Sequence, residues 1–306
     1  MINYILILSI SFIVTLSSTP LVIKISYKKG ALDYPNDRLL KIHSRPVPIL
    51  GGIAISFGLF SSWLLISVLF KALQQEIFGL FLAFLLVLLF GLFDDIRGMN
   101  PGYRFLGQFV AAIIVIFVSK ITVNLIPYWY VSIPVTIFYL VASTNSINLL
   151  DGLDGLATGS TLIASGGFLL AFILEENVLG IVISVSIIGM TAGFLFFNFN
   201  PAKIFLGDNG STLLGFLLGV LAVLFSSKPY SLIHFVVPIL ILAVPILDTG
   251  LAISRRILKN RQVFHGDRDH FYDQLMRKGF SQKQTALITY LFGLLGAIAG
   301  ISFMLS

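Results

Sequence analysis

Long apolar segments alternate with short polar ones along the whole chain. A segment of about 20 mostly apolar residues crosses the hydrocarbon core of a bilayer, about 30 Å thick, as a helix. The pattern therefore predicts an all-α integral membrane protein, a single polytopic domain over residues 1–306 with about ten transmembrane helices. The predicted segments are Tyr4–Ile25, Ile49–Phe70, Ile77–Phe93, Phe105–Val118, Val131–Leu149, Leu156–Leu174, Val178–Phe197, Thr212–Phe225, Leu232–Ile253 and Ala286–Met304.

Charged residues divide unequally between the two sets of connecting segments. If successive helices alternate in direction, one side holds 17 of the 20 Lys and Arg residues, and the other holds only Lys71, Lys120 and Lys228. Because basic loops stay on the cytoplasmic side, the basic side is predicted to be cytoplasmic and both termini to face outward. All eleven Asp residues lie at or near the same side. Their gathering indicates a site for a cation or for proton transfer at the cytoplasmic face.

Composition narrows the chemistry further. The chain is 57% hydrophobic and 11% charged, with four histidines and no cysteine. It therefore has no disulfide, no thiol nucleophile, no Cys-ligated zinc and no iron–sulfur cluster. The net charge of +6 is explained by membrane topology and by contact with anionic lipid, so membrane lipid and not nucleic acid is the predicted partner.

Two adjacent carboxylates, Asp94 and Asp95, end the third predicted segment. Neighbouring carboxylates repel each other and stay ionised only when a cation, a basic group or water compensates them. The pair suits a divalent ion or the metal of an anionic substrate. A hydrated helix end is the alternative explanation for such a pair.

Four polar residues, Asn145, Asn148, Asp151 and Asp154, recur at intervals of three around the end of the fifth segment. At this spacing neighbours adjoin on the surface of a helix, so we expect one polar stripe that runs from inside the bilayer boundary to the cytoplasmic surface. Amides and carboxylates in an apolar span are costly unless they are paired or bind a ligand. The stripe predicts ligand binding, with hydrogen bonding between helices as the alternative.

A third motif contains Gly207, Asp208, Gly210 and Ser211 at the predicted start of the eighth segment. Ser211 is predicted to cap that helix. A helix start with flanking glycines favours anions, and an Asp there can hold a metal against a phosphate. An ordinary capped turn is the alternative.

The first and last cytoplasmic segments are the longest, and they carry Lys41, His43 and Arg45 in one and Arg268 and His270 in the other. Basic segments beside a membrane can simply contact anionic lipid, but two histidines and three Asp within residues 265–273 exceed what such contact requires. Together with the three motifs, these residues suit magnesium-assisted transfer involving phosphate. They also suit a cation-coupled transporter.

The motifs resemble those of a known family in kind and in order. The matching positions are Lys41-x-His43-x-x-Pro46-x-Pro48-x-x-Gly51-Gly52, Phe93-Asp94-Asp95, Asn145-x-x-Asn148-x-x-Asp151-Gly-x-Asp154-Gly, and Pro201-Ala-Lys-x-Phe205-x-Gly207-Asp208-x-Gly210-Ser211. In kind and order they resemble the polyprenyl-phosphate N-acetylhexosamine-1-phosphate transferase superfamily, glycosyltransferase family 4. That superfamily includes bacterial GlcNAc-1-phosphate transferases and phospho-MurNAc-pentapeptide transferase.

The resemblance implies that a UDP-N-acetylhexosamine and polyprenyl (undecaprenyl) phosphate give a polyprenyl-diphosphate sugar and UMP. It implies Mg²⁺ as the cofactor, with Mn²⁺ as an alternative, and a location in a bacterial-type inner (plasma) membrane. Such an enzyme starts a lipid-linked cell-envelope glycan, for example of the cell wall, teichoic acid or lipopolysaccharide. A homodimer is expected by analogy with the family only.

The resemblance also implies residue roles. Asp94 and Asp95 match positions at the lipid-phosphate end, one of them a candidate base, and Asn148 and Asp208 match metal-binding positions. Phe205 matches a residue that stacks on uracil. The full set of predicted site residues is Asp94, Asp95 and Asp208 for catalysis, Asp208, Asn148 and Asp95 for the metal, and Lys41, His43, Arg104, Asn145, Asp151, Asp154, Asn198, Phe205, Arg268 and His270 for substrate binding.

The last cytoplasmic loop departs from the family pattern. The GlcNAc and pentapeptide branches carry a histidine cluster there, whereas here His270 is followed by Phe271, Tyr272 and Asp273. Since that loop is associated with recognition of the sugar or diphosphate, GalNAc or a related amino sugar is an alternative to GlcNAc. A cation-coupled transporter or lipid-phosphate flippase is the alternative function, although it would place polar residues near the bilayer midplane, where this sequence has few.

Overall fold

The computed structural model describes residues 1–35, 45–258 and 269–306. Within these ranges the chain is almost entirely helical. Its elements are α1 (Ile2–Lys29), β1 (Leu32–Asp33), β2 (Val47–Pro48), α2 (Gly51–Leu69), the 3-10 helix Lys71–Leu73, α3 (Gln74–Arg97), α4 (Pro101–Phe117), α5 (Trp129–Leu150), α6 (Leu156–Leu174), α7 (Val178–Asn198), α8 (Gly207–Phe225), α9 (Leu232–Ile241), α10 (Ala243–Leu258), α11 (Phe271–Arg277) and α12 (Gln282–Leu305).

Eight of the described helices are long and apolar enough to cross a bilayer: α1, α2, α3, α5, α6, α7, α8 and α12. They confirm the prediction of an all-α membrane protein. The predicted fourth segment corresponds to α4, a shorter apolar helix, and the predicted ninth to α9 and α10 together. The count of ten spans stays a prediction.

The ninth predicted segment is not one continuous helix, because α9 and α10 meet at an angle of 79°. Proline has no N–H to donate to the carbonyl four residues before it. Pro238 therefore makes no hydrogen bond to the carbonyl of His234. That carbonyl accepts a hydrogen bond from Ser226 Oγ at 2.8 Å instead. Pro245 likewise cannot bond to Ile241, the last residue of α9. The helix consequently breaks at Leu242.

Helix α8 lies at the centre of the bundle. In its most apolar stretch 94% of the residues are buried, as expected for a helix that is hydrophobic on every side. Glycine brings α5 close to it, since a Cβ at Gly215 would lie 2.7 Å from Thr144 Cα. The first turn of α8 is thereby held between the other helices at one end of the bundle.

The segment before α8 is tied to the two short strands and to the start of α2. Antiparallel β1 and β2 pair Leu32 with Pro48, and the Pro48 carbonyl accepts a hydrogen bond from Phe205 N at 2.8 Å. Gly51 N then donates to the Phe205 carbonyl at 3.1 Å, and Gly52 N to the Leu206 carbonyl at 3.0 Å. Motifs that lie more than 150 residues apart in the sequence thus meet through main-chain bonds.

A polar cluster of Glu175, Lys228 and His234 lies at the opposite end of the bundle. Glu175 contacts Lys228 Nζ at 2.5 Å and His234 Nε2 at 3.1 Å. Burial acts to raise the pKa of Glu175, but the hydrogen bond from Lys228 and the charges of His234 and Lys228 outweigh it and hold that pKa below its usual value. The cluster joins the end of α6 to the connection between α8 and α9.

Candidate active site

The ends of α3, α5 and α7 and the starts of α8 and α12 surround a cavity of about 620 Å³. Both strands contribute to its wall through Asp33 and Val47. The structure therefore brings three separate sequence motifs together at one end of the bundle. The predicted site residues that line the cavity are Asp95, Asn148, Asp151, Asp154, Asn198, Phe205 and Asp208.

Asp95 caps the N-terminus of α8 from the neighbouring helix α3. Its Oδ1 accepts a hydrogen bond from Asp208 N at 2.8 Å, and its Oδ2 accepts bonds from Asn209 N at 2.9 Å and from Asn209 Nδ2. The prediction that Ser211 caps this helix is wrong. Helix α8 begins four residues earlier, at Gly207, and Ser211 Oγ bonds back to the Gly207 carbonyl at 2.9 Å.

Asp208 stands at the centre of the cavity wall with about a third of its side chain exposed. Its Oδ1 accepts a hydrogen bond from Asn148 Nδ2 at 2.8 Å, and the same amide donates to Ser211 Oγ at 2.9 Å. Arg104 approaches Asp208 Oδ2 at 3.7 Å. The capping contact of Asp95 and the amide of Asn148 thus fix Asp208 from two sides.

The donor set around Asp208 suits a magnesium ion shared with a substrate. Among residues 1–35, 45–258 and 269–306, no cluster of three His, Cys, Asp or Glu side chains is placed to hold a metal alone. Mg²⁺ usually takes only one or two carboxylates and fills its other positions with water and substrate phosphate. The carboxylate of Asp208 meets that requirement. Asn148 lies beside it with its amide nitrogen toward Asp208 Oδ1, and a rotation of the amide by about 180° would present its oxygen there instead.

The expected helical stripe ends early, because α5 stops at Leu150 and Asp151 is its C-terminal cap. Gly155, with φ +75°, then begins α6 in a left-handed conformation that glycine adopts without strain. Asp151 and Asp154 therefore lie on a turn and not on the helix. Burial, together with the nearby carboxylates of Asp208, Asp95 and Asp154, raises the pKa of Asp151 well above its usual value.

Asp154 and Asn198 hold the segment that carries Phe205. Asp154 Oδ2 accepts hydrogen bonds from Asn200 Nδ2 at 2.8 Å and Ala202 N at 2.9 Å. Asn198 is 2% exposed, accepts from Thr158 at 2.6 Å and donates to the Ile204 carbonyl at 3.0 Å. Both polar atoms of the Asn198 side chain have protein partners, so Asn198 supports the cavity wall. Its predicted contact with substrate stays a prediction.

Asp94, Arg104 and Asn145 lie beside the main cavity and not in its wall. Asp94 and Arg104 form an ion pair and line a small adjoining pocket with Gln108. Asn145 donates to Gln108 Oε1 at 2.7 Å and to the Val141 carbonyl at 2.8 Å. The predicted stripe is thus split, and Asn145 joins α5 to α4. Arg104 is the group that connects this pocket to Asp208.

His270, the described residue of the last loop for which substrate binding is predicted, lies away from the cavity. His270 is 3% exposed and does not line the cavity. Its Nδ1 lies 2.7 Å from Asp248 Oδ2. The predicted residues Lys41, His43 and Arg268 lie outside the described residues.

Several residues of the region are not among the predicted site residues, notably Asp33 and Gln282 in the cavity wall and Asp248 beside His270. The sequence does contain a signal for Asp248, because a carboxylate inside an apolar segment needs a partner. Asp33 and Gln282 have no comparable signal in the sequence, because polar residues are ordinary near helix ends.

Comparison with known proteins agrees with this geometry. The family profile described as glycosyl transferase family 4 matches residues 77–226. A probable undecaprenyl-phosphate N-acetylglucosaminyl 1-phosphate transferase of Bacillus subtilis (strain 168) is 34% identical over 98% of this chain and 85% of its own length. Decaprenyl-phosphate N-acetylglucosaminephosphotransferase of Mycolicibacterium smegmatis is 32% identical over 92% of this chain and 77% of its own.

A phospho-N-acetylmuramoyl-pentapeptide-transferase of Bacillus cytotoxicus is more distant, at 28% identity over 95% of both chains. These similarities extend far beyond the short motifs and cover nearly every described element. The chain therefore belongs to glycosyl transferase family 4, among the membrane transferases that attach sugar phosphates to polyprenyl phosphate.

Proposed function

We propose that this protein transfers an N-acetylhexosamine-1-phosphate from a UDP-sugar to polyprenyl phosphate, releases UMP and so starts a lipid-linked cell-envelope glycan. The observation that carries the proposal is the meeting of Asp95, Asn148 and Asp208 at one cavity. The names of the relatives, which specify polyprenyl phosphate and N-acetylglucosamine phosphate, support the same reaction. No comparable support exists for a transporter.

In the proposed reaction an oxygen of the lipid phosphate attacks the phosphorus that carries the sugar. The bond from that phosphorus to the bridging oxygen breaks, and the oxygen leaves with UMP. The acceptor is already an anion near neutral pH, so direct attack needs no covalent enzyme intermediate. The task of the protein is mainly to position two anionic substrates and to neutralise their charge.

The carboxylates at the cavity make neutralisation essential. Asp95, Asp151, Asp154 and Asp208 would repel a diphosphate without compensating cations. We propose that Asp208 and the amide oxygen of Asn148 hold Mg²⁺, which when bound stabilises the negative charge on the phosphates. Arg45 in the cavity wall supplies a further positive charge.

Arg104 is the proposed contact for the acceptor phosphate. Its guanidinium group lies between Asp94 and Asp208, and a third of its side chain is exposed. An arginine in this place can bind a phosphate through two parallel hydrogen bonds. Asp95 is assigned to holding α8 in place and not to proton abstraction, because both of its oxygens accept hydrogen bonds from that helix.

For orientation we propose ten spans with both termini outside and the cavity open to the cytoplasm. In the sequence most basic residues fall in the same set of connecting segments as the motif residues, and the positive-inside rule assigns that set to the cytoplasm. UDP-sugars are cytoplasmic substrates, so this orientation also fits the reaction. A homodimer remains an expectation from the family.

The test is UMP release by purified protein with undecaprenyl phosphate, Mg²⁺ and either UDP-GlcNAc or UDP-GalNAc. We expect lipid-dependent UMP with one of the two sugars and its loss on metal chelation. Asp208→Asn should lower kcat by at least about 100-fold, since it removes a group aimed at the reacting phosphates.

Glu175→Gln is the matched control, because it also neutralises one carboxylate but lies at the opposite end of the bundle. It should retain activity. Equal activity of Asp208→Asn and Glu175→Gln would contradict the proposal, and so would UMP release that does not depend on the lipid.

A further inference from the structure

Asp248 is a buried carboxylate that the reaction described above does not use. It lies in α10 and is 4% exposed. Its Oδ2 accepts a hydrogen bond from His270 Nδ1 at 2.7 Å, and its Oδ1 accepts one from Phe271 N at 2.6 Å. A carboxylate withdrawn from water is tolerated only when donors compensate it. Both of these donors come from the start of α11, so Asp248 fixes where that helix begins.

The fixed position of His270 also determines where Tyr272 lies. The two rings stack with their centroids 5.5 Å apart and an angle of 4° between their planes. Because His270 is 3% exposed and its Nδ1 is engaged by Asp248, its ring has a defined orientation. The ring of Tyr272 therefore also has a defined position.

Tyr272 lies directly against the turn that follows α5. Its hydroxyl is 3.5 Å from the Leu149 carbonyl, and a Cβ at Gly152 would lie only 2.5 Å from Tyr272 Cζ. There is no spare room in this contact. The same turn carries Asp151 and Asp154, which line the cavity.

We propose that Asp248 is a positioning residue for the donor-substrate side of the cavity. Through His270 and Tyr272 it sets the position of the turn from Leu149 to Gly155, which we call the donor turn. The effect on catalysis rests on the proposed function, whereas the mechanical coupling between Asp248 and the donor turn does not.

The coupling is tested by hydrogen exchange on the purified full chain. Asp248→Asn keeps the shape of the side chain, but its NH₂ group would face one of the two N–H groups that donate to Asp248. One of the two hydrogen bonds is therefore lost. We expect faster exchange both in residues 270–277 and in the donor turn. Thr249→Val is the matched control: it is the next residue of α10, the replacement has the same shape, and its hydroxyl has no hydrogen-bond partner among the described residues. It should leave exchange in both regions unchanged.

Kinetics give the second readout. The probes are undecaprenyl phosphate and whichever of UDP-GlcNAc and UDP-GalNAc the wild-type protein uses, and we expect Asp248→Asn to raise the KM for that UDP-sugar roughly 10-fold to 100-fold. The KM for undecaprenyl phosphate should stay unchanged, because Asp94 and Arg104 line a separate, smaller pocket. A general loss of folded protein would not separate the two KM values.

Tyr272→Ala tests the same coupling from its other end, and it stands alone if Asp248→Asn fails to fold. It should accelerate exchange in the donor turn. When both single variants fold, their effects should not add in the double variant. The proposal is overturned if residues 270–277 exchange faster while the donor turn does not, or if both KM values rise together. If the wild-type protein releases no UMP, the proposed function fails, and hydrogen exchange alone decides the coupling.

Discussion

Asp95 supports the site by holding the main chain of α8 in place. Three donors of Asp208 and Asn209 converge on its two oxygens, so its charge is matched by the N–H groups that a helix start leaves without partners. Asp208 is the second residue of α8, so the same support sets where its side chain lies in the cavity wall. The two carboxylates therefore have different roles although both line the cavity.

This difference predicts different stabilities for two similar substitutions. Asp95→Asn should lower the free energy of unfolding by about 1–3 kcal/mol, because its NH₂ group would face an N–H donor and leave it unpaired. Asp208→Asn should lower stability less, since that side chain is partly exposed and accepts one amide hydrogen bond. Thermal unfolding in detergent measures both. Equal unfolding temperatures for the two variants would show that Asp95 does not hold α8 as described.

At the scale of whole elements, close contacts at glycine fix the first turn of α8. A Cβ at Gly91 of α3 would lie 2.5 Å from Asn209 Cα, and a Cβ at Gly52 of α2 would lie 2.6 Å from the Asn209 carbonyl carbon. Helices α2 and α3 thus touch the main chain of α8 where Asp208 begins its first turn. The positions of Asp95 and Asp208 depend on this packing.

Gly91→Ala should therefore separate α3 from α8 and reduce both stability and activity. Overpacking of this kind typically costs about 1–3 kcal/mol, and it also moves Asp95, which lies one turn further along α3. Gly166→Ala is the matched control, because nothing lies within 4 Å of a Cβ there. The free energy of unfolding of this control should stay the same or rise by up to about 1 kcal/mol, because Ala has the higher helix propensity. Unfolding temperature and UMP release that are the same in both variants would refute the packing argument.

At the scale of the whole molecule, the bundle has two chemically different ends. Five carboxylates and other motif residues surround the cavity at one end, whereas the other end carries the small cluster of Glu175, Lys228 and His234. The middle is apolar on nearly every helix. Such a division suits an enzyme that works at one membrane surface better than a transporter with a site at the midplane.

The orientation can be measured directly because the chain has no cysteine. Ala72→Cys and Lys283→Cys place single thiols at exposed positions at opposite ends of the bundle. In intact spheroplasts a membrane-impermeant maleimide should label the thiol at position 72, and the thiol at position 283 only after permeabilisation. The reverse pattern would place the cavity outside and exclude cytoplasmic UDP-sugar as its substrate.

The sequence by itself determined the membrane character, the approximate helix segments and seven of the residues that line the cavity. Apolar length and charge asymmetry are local properties, and motif residues such as Asn148 and Asp208 carry their chemistry wherever the chain places them. The tertiary structure decided which groups meet. Asp95 and Asn209 are 114 positions apart in the chain, and no local pattern predicts that one caps the helix of the other.

The same limit explains the remaining corrections. Asn145 shares the spacing of Asn148, but the position of Gln108 on α4 draws its amide away from the cavity. His270 was predicted to bind substrate, yet Asp248 holds it in the interior. A buried polar group must find a partner, and the choice among the available partners depends on how the helices pack. Sequence therefore shows which residues need partners, and only the packed bundle determines which partner each one has.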